Sequence, residues 1–175
     1  MQRRLFQIEL PLHPGWDAIL PLRASVLACV RTVFPQPNAA LALALVAAEL
    51  LENAVKFGAW DEGAAYGDRG QFTLRVVGSD GRLEIEVSNP VSHDDGHLER
   101  LENELARIAS SPSPEEAYVR AVRGLALGRE SPLGLARAAH EGGCELTARV
   151  EGDIVTVRAV TRRISSDPAA DATQA

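Results

Sequence analysis

The chain has 175 residues, of which 46% are apolar and 24% are charged, and its net charge is −6. This composition predicts a globular protein with one well-formed core. The acidic balance excludes the basic footprint of a nucleic-acid-binding surface and does not favour an anionic membrane. The longest apolar run, 39–51, contains Glu49 and is too short to span a bilayer, and no signal peptide is visible. With only Cys29 and Cys144, far apart, we expect reduced thiols and a cytoplasmic location.

Apolar spacing predicts the elements of the first part of the chain. An alternating segment from Arg3 to Leu10 predicts a strand. Residues at helical spacing predict a helix from Trp16 to Phe34 and a second from Ala39 to Phe57, for which Asn38 can act as the N-cap. The glycine-rich segment from Gly58 to Gly70 predicts a loop.

Two hairpins and three helices are predicted for the rest of the chain. The first hairpin pairs Gln71 to Val77 with Arg82 to Ser88 through a turn at 79–81, and Asn89-Pro90 is expected to end its second strand. The remaining predicted elements are a helix from Asp94 or Asp95 to Ala109, a helix capped by Ser113 that extends to Leu127, a helix that starts at Ser131-Pro132 and ends at Gly142-Gly143, and strands Cys144 to Val150 and Ile154 to Val160.

This order of elements indicates a fold class. Strands joined as hairpins, with the helices grouped apart from them, predict an α+β two-layer sandwich in which a mostly antiparallel, mixed sheet carries helices on one face. We expect a single domain over 1–164. The small, polar segment 165–175 predicts a disordered tail.

Polar residues cluster at the end of the second predicted helix, which is otherwise apolar all round, as buried helices are. At about 100° per residue, Glu49, Asn53 and Lys56 share one narrow stripe, whose earlier turns are apolar. An acid, an amide and an amine together suit a phosphate-bearing, metal-bound ligand. The alternative interpretation is a helix end that emerges into water.

The motif Leu51-Glu52-Asn53-Ala54-Val55-Lys56-Phe57 and the order of elements resemble the ATP-binding domain shared by sensor histidine kinases, gyrase-type ATPases and bacterial anti-sigma factors. Within this group the chain is most similar to stand-alone anti-sigma-type serine/threonine kinases. It is also similar to partner-switching regulators that pair such a domain with a small phospho-accepting protein. The resemblance covers 3–163 and implies the histidine-kinase-like ATPase fold.

The resemblance also implies roles for the stripe. Asn53 would hold Mg²⁺ against the phosphates of ATP, and Glu49 would act as a base or orient water or the phospho-acceptor. Lys56 would approach a phosphate. These roles make chemical sense, because an amide oxygen is a hard ligand that suits Mg²⁺, and phosphoryl transfer depends on positioning and charge neutralisation.

Two further motifs of that group are altered here. An Asp-x-Gly-x-Gly segment normally recognises the adenine amino group, whereas this chain has Val87-Ser88-Asn89-Pro90-Val91, so Ser88 or Asn89 stands in place of the aspartate. A glycine-rich run normally cradles the phosphates at a helix start. Leu133-Gly134-Leu135-Ala136 matches its second half and would contribute Leu133, Gly134 and Leu135 to nucleotide binding, while Glu130 and Pro132 replace upstream glycines.

Two functions remain open. The first is an ATP-binding anti-sigma-type regulator that acts as a serine/threonine kinase on a small antagonist protein or a sigma-factor-like regulator. The second is a non-catalytic partner-binding module of the same fold with a degenerate nucleotide site. Either function implies bacterial signal transduction by partner switching, and a homodimer is compatible with both.

Overall fold

The computed structural model describes residues 4–32, 34, 36–60, 71–79, 82–93, 96–127 and 133–161. Within these residues, strands and helices follow one another in the predicted order. Their bounds are β1 Arg4–Leu12, α1 Trp16–Arg31, α2 Pro37–Phe57, β2 Phe72–Ser79, β3 Arg82–Pro90, α3 His97–Ala109, α4 Pro114–Ala126, α5 Leu133–Glu141, β4 Cys144–Glu151 and β5 Ile154–Thr161.

The five described strands form one sheet in the order β1-β2-β3-β5-β4. All four neighbouring pairs are antiparallel, so the expected mixed sheet is antiparallel throughout the described part. Along β2 and β3 every second side chain is buried. This alternation is typical of a sheet that packs helices on one face and leaves the other open. The predicted α+β two-layer architecture is therefore confirmed.

Helix α2 lies at the centre of the helical layer. It contacts α1 and α5 within that layer and β3 in the sheet. Neighbours on three sides explain why the helix is apolar nearly all round. Its buried residues are Ala40, Leu43, Ala44, Val46, Ala47, Ala48, Leu50, Leu51 and Ala54. None of the described helices is long and apolar enough to cross a membrane.

An ionic ladder occupies the open face of the sheet. Arg75 Nη1 lies 2.7 Å from Glu86 Oε2, and Arg158 Nη2 lies 2.6 Å from Glu84 Oε2. Longer contacts of 3.4 Å join Arg75 to Glu84 and Arg158 to Glu86, which makes a network of four charges across β2, β3 and β5. The Arg158 guanidinium holds the pKa of Glu84 below its usual value.

Several predicted boundaries are wrong. Helix α1 ends at Arg31 and not at Phe34. Gln36 is the N-cap of α2, so Asn38 lies inside the first turn, where Pro37 supplies a preset φ. Strand β3 continues through Asn89 and Pro90, which pair with β5. Pro90 is tolerated because it lies beyond the last residue that pairs with β2, where no ladder N–H is required.

The N-cap of α3 is Gly96, with a φ of 69°, and not Asp94 or Asp95. Glycine reaches this left-handed conformation without a steric penalty. The predicted loop at 61–70, the turn residues 80–81, the helix start at Ser131-Pro132 and the predicted tail at 165–175 lie outside the described residues.

Ser113 caps α4 as predicted, since its Oγ accepts a hydrogen bond of 3.1 Å from the backbone N–H of Glu116. Replacing Ser113 by alanine should lower the free energy of unfolding by about 1 kcal/mol, the usual value of an N-cap. Urea denaturation measures the change. Ser110→Ala is the control, because that hydroxyl only donates to the carbonyl of Arg107 at a helix end. Equal losses in both variants would contradict the capping role.

Candidate functional site

A cavity of about 990 Å³ lies between the sheet and helices α2 and α3. Its floor consists of β3 and β5 residues that face each other in the ladder, Val87 opposite Val157 and Asn89 opposite Val155. The walls come mainly from α2 and α3, with single residues from α4 and α5. The main apolar wall residues are Leu50, Ala54, Phe57, Leu98, Leu101, Leu125 and Leu135.

Asn53 projects into this cavity from the last turns of α2. Its Nδ2 is buried, and no described residue offers it a hydrogen-bond partner. An unpaired buried donor costs about 1–3 kcal/mol, so such a group in a cavity is often explained by a missing ligand. A half-turn of the amide exchanges Nδ2 and Oδ1, whose assignment rests on the surrounding hydrogen bonds. The amide therefore fits an oxygen ligand for Mg²⁺.

Glu49 lies one turn before Asn53 and faces α5. Its Oε1 is 3.4 Å from Arg137 Nη1, and only 14% of its side chain is exposed. Arg137 also donates from Nε to Glu141 at 3.0 Å, so the arginine is shared between two carboxylates. Burial raises the pKa of Glu49, with a smaller contribution from Glu52, while Arg137 lowers it. A half-buried carboxyl group with a raised pKa suits a proton acceptor.

Gly134 allows α5 to approach Glu49 closely. A Cβ at this position would collide with the Glu49 carboxylate and would come within 3.9 Å of Asn53 Nδ2. The structure therefore brings Gly134, Glu49 and Asn53 together at one end of the site. Gly134, which the sequence resemblance assigns to a phosphate-binding segment, is thus also required for the close packing of α5 against Glu49.

Leu133 and Leu135 flank that glycine at the start of α5. Leu135 is buried and lines the cavity, whereas Leu133 is half-buried and does not. Lys56 is exposed at the cavity rim, with its Nζ 4.9 Å from the centroid of the Phe57 ring. Of the predicted stripe, Asn53 and Lys56 line the cavity and Glu49 adjoins it through Gly134.

Ser88 and Asn89, which stand where the resembling group has its adenine-binding aspartate, lie on opposite faces of the sheet. Ser88 is on the open face, where its Oγ is 2.8 Å from Thr156 Oγ1. Asn89 is 5% exposed and faces the cavity. Its Nδ2 donates to the carbonyl of Pro90 at 2.9 Å, which leaves its side-chain oxygen as an acceptor for a ligand. Only Asn89 is positioned to contact a molecule in the cavity.

Glu104 also lines the cavity, and sequence reasoning missed it. It lies on the apolar face of α3 between Leu101 and Ile108, and it is 4% exposed. Arg107 forms an ion pair with it. Burial raises the pKa of the Glu104 carboxyl, and Arg107 lowers it. The sequence does contain a signal for its burial, because Glu104 falls on the helix face that the apolar residues of α3 share.

The charges around the cavity are mainly positive. Among the described residues, those that line the cavity include three cations, Lys56, Arg100 and Arg107, and one carboxylate, Glu104, although the chain has a net charge of −6. The cavity thus combines an apolar floor with a cationic rim. Such a combination suits a ligand that is flat and apolar at one end and anionic at the other.

No family profile matches the sequence, and no curated protein matches it either. A chain in the crystal structure of the SiaB-SiaC complex from Pseudomonas aeruginosa has a similar fold. The TM-score is 0.63 at 21% sequence identity, and the match covers 91% of each chain. At this identity the similarity shows the shared fold alone.

Proposed function

We propose that the protein binds ATP with Mg²⁺ in this cavity and transfers the terminal phosphoryl group to a small partner protein. The observation that supports it most is the buried side-chain nitrogen of Asn53, which has no hydrogen-bond partner among the described residues and lies one turn after a half-buried carboxyl group. Asn53 would hold Mg²⁺, which neutralises phosphate charge when it is bound. Lys56 and Arg100 at the rim would attract the phosphates.

Glu49 would act at the reacting end. Its carboxyl group lies beside the start of α5, where it can orient the acceptor hydroxyl or take its proton. Arg137 holds the carboxyl group in place. The apolar floor would accommodate the base, and Asn89 would accept a hydrogen bond from it.

The structural similarity to a chain of the SiaB-SiaC complex supports a protein partner. We infer that this chain too acts in a complex with another protein. The resemblance in the Leu51-to-Phe57 motif suggests partner switching, with a small antagonist or a sigma-factor-like regulator as the acceptor. A cytoplasmic location and a homodimer are part of the same proposal.

Calorimetric titration of ATP into the purified protein, with and without Mg²⁺, tests the proposal. Binding that requires Mg²⁺, accompanied by a rise in melting temperature, is the expected result. Absence of both heat and thermal shift at millimolar nucleotide would overturn it. Transfer of labelled phosphate to a co-purified partner then tests the kinase activity separately.

A non-catalytic partner-binding module is the second candidate. The sequence changes at Asn89-Pro90 and at Glu130 and Pro132 favour it, because they remove residues that hold the base and the phosphates. In that case ATP would not bind, and the partner complex would be equally stable with and without nucleotide.

Replacing Gly134 by alanine should slow phosphoryl transfer and leave the stability of the fold nearly unchanged. The new methyl group takes the place of the Glu49 carboxylate, which must turn away. Only the end of a flexible side chain has to move, so the melting temperature should change little while the transfer rate falls about tenfold or more, as for a misplaced catalytic group. Gly15→Ala is the control, since no atom lies within 4 Å of a Cβ there. Unfolding of Gly134→Ala, or a full transfer rate, would contradict the prediction.

A further inference from the structure

The proposed phosphoryl transfer leaves one buried charge of the cavity without a role. Glu104 is 4% exposed and faces the cavity from α3. Among the described residues, Arg107 on the same helix is its ion-pair partner. The Arg107 side chain is itself 60% exposed, so the pair has one end in water and the other in an apolar cavity.

The position of Glu104 is unfavourable for folding alone. Leu101, Leu105 and Ile108 share its face of α3 and pack against the core. A leucine at 104 would extend this apolar face, and the remaining Arg107, whose side chain is 60% exposed, would stay solvated. A buried carboxyl group on the apolar face of a helix is better explained by a ligand than by the fold.

The residues around Glu104 determine which chemical groups such a ligand must have. Glu104 shares the cavity with Val87, Val155 and Val157 of the floor and with the acceptor oxygen of Asn89. A flat, apolar ring would bury its faces in this space. The Glu104 carboxyl and the Asn89 side-chain oxygen both accept hydrogen bonds, so the edge of the ring must donate. A purine with an exocyclic amino group meets both conditions.

We propose that this part of the cavity is a base-binding subsite in which Glu104 accepts a hydrogen bond from the exocyclic amino group of the nucleotide. The acceptor that the resembling group of ATP-binding domains supplies from an aspartate after the hairpin would here come from α3. This inference rests on the proposed function, because it assumes that the cavity binds a nucleotide.

The test measures the affinities of ATP and of purine riboside triphosphate, which lacks the 6-amino group, for the wild type and for Glu104→Leu. In the wild type ATP should bind about tenfold to a hundredfold more tightly, the range expected for a hydrogen bond to a charged group. In Glu104→Leu this preference should disappear, mainly through weaker ATP binding. The comparison isolates the contact because the second nucleotide cannot make it.

Two controls separate the subsite from a structural effect. Glu102→Leu changes an exposed carboxylate of the same helix that does not line the cavity and should leave both affinities unchanged. Glu104→Leu should melt at the same temperature as the wild type or higher, and Glu104→Gln, which keeps an acceptor oxygen, should retain part of the preference for ATP.

Each result decides the inference. An undiminished preference for ATP in Glu104→Leu would overturn the subsite while leaving the proposed function standing. A strong loss of stability in both Glu104 variants would show that the carboxylate serves the fold, and would also overturn it. If the wild type binds neither nucleotide, both the subsite and the proposed function fail.

Discussion

Asn53→Ala is expected to abolish Mg²⁺-dependent ATP binding and to leave the fold intact. The variant removes the amide whose buried nitrogen has no partner among the described residues, so no hydrogen bond from that nitrogen to them is lost. Even groups that only orient a metal ligand contribute about tenfold to a hundredfold to metal affinity. We therefore expect the affinity for ATP in the presence of Mg²⁺ to fall about a hundredfold or more.

The measurement is a pair of titrations, with Mg²⁺ and with a chelator. The wild type should bind ATP far more tightly with Mg²⁺, and Asn53→Ala should bind equally weakly in both conditions. Asn38→Ala is the control in the same helix, because Asn38 lies in the first turn of α2 and far along the helix from the cavity. A variant that retains its Mg²⁺ dependence would show that the metal is held elsewhere.

Unlike Asn53→Ala, Glu49→Gln should still bind ATP but should transfer its phosphoryl group much more slowly. The amide keeps the size of the side chain and can still contact Arg137, but it cannot accept a proton. Removing a general base typically lowers the rate about 10²- to 10⁴-fold, and we expect phosphoryl transfer to fall in this range. Rapid-quench assays with the partner protein measure the rate. Full transfer by the variant would exclude Glu49 as the base.

The pH dependence of stability gives an independent control for this variant. Because the pKa of Glu49 is raised in the folded state from its usual value of 4.5, the folded protein holds the proton more tightly than the unfolded chain. The resulting stabilisation is present at acidic pH and is lost as the pH rises through the folded pKa. In the ligand-free protein at neutral pH, Glu49→Gln should therefore unfold no earlier than the wild type.

Much of the fold could be predicted from local pattern. The order of elements, the cap at Ser113 and the stripe on α2 depend on apolar periodicity and on turn residues, which are written into short segments. The continuation of β3 through Asn89 and Pro90 could not be predicted, because it depends on pairing with β5, more than 60 positions along the chain.

The site was predictable only in part, for the same reason. Successive side chains of a strand point to opposite faces of the sheet, so either Ser88 or Asn89 can face the cavity. Which of them does depends on the register of β3, because a shift of one residue would exchange the two. The burial of Glu104 depends on how α3 packs against the sheet. Local signals identified the polar end of α2, whereas the opposite wall of the cavity is formed by tertiary contacts.

The ionic ladder on the open face of the sheet has a consequence for assembly. Its two arginines and two glutamates neutralise one another, so these four residues present little net charge to an approaching molecule. Docking there would require the removal of water from four paired charges, which is costly. The ladder is therefore a poorer docking surface than a face on which no paired charges have to lose their water.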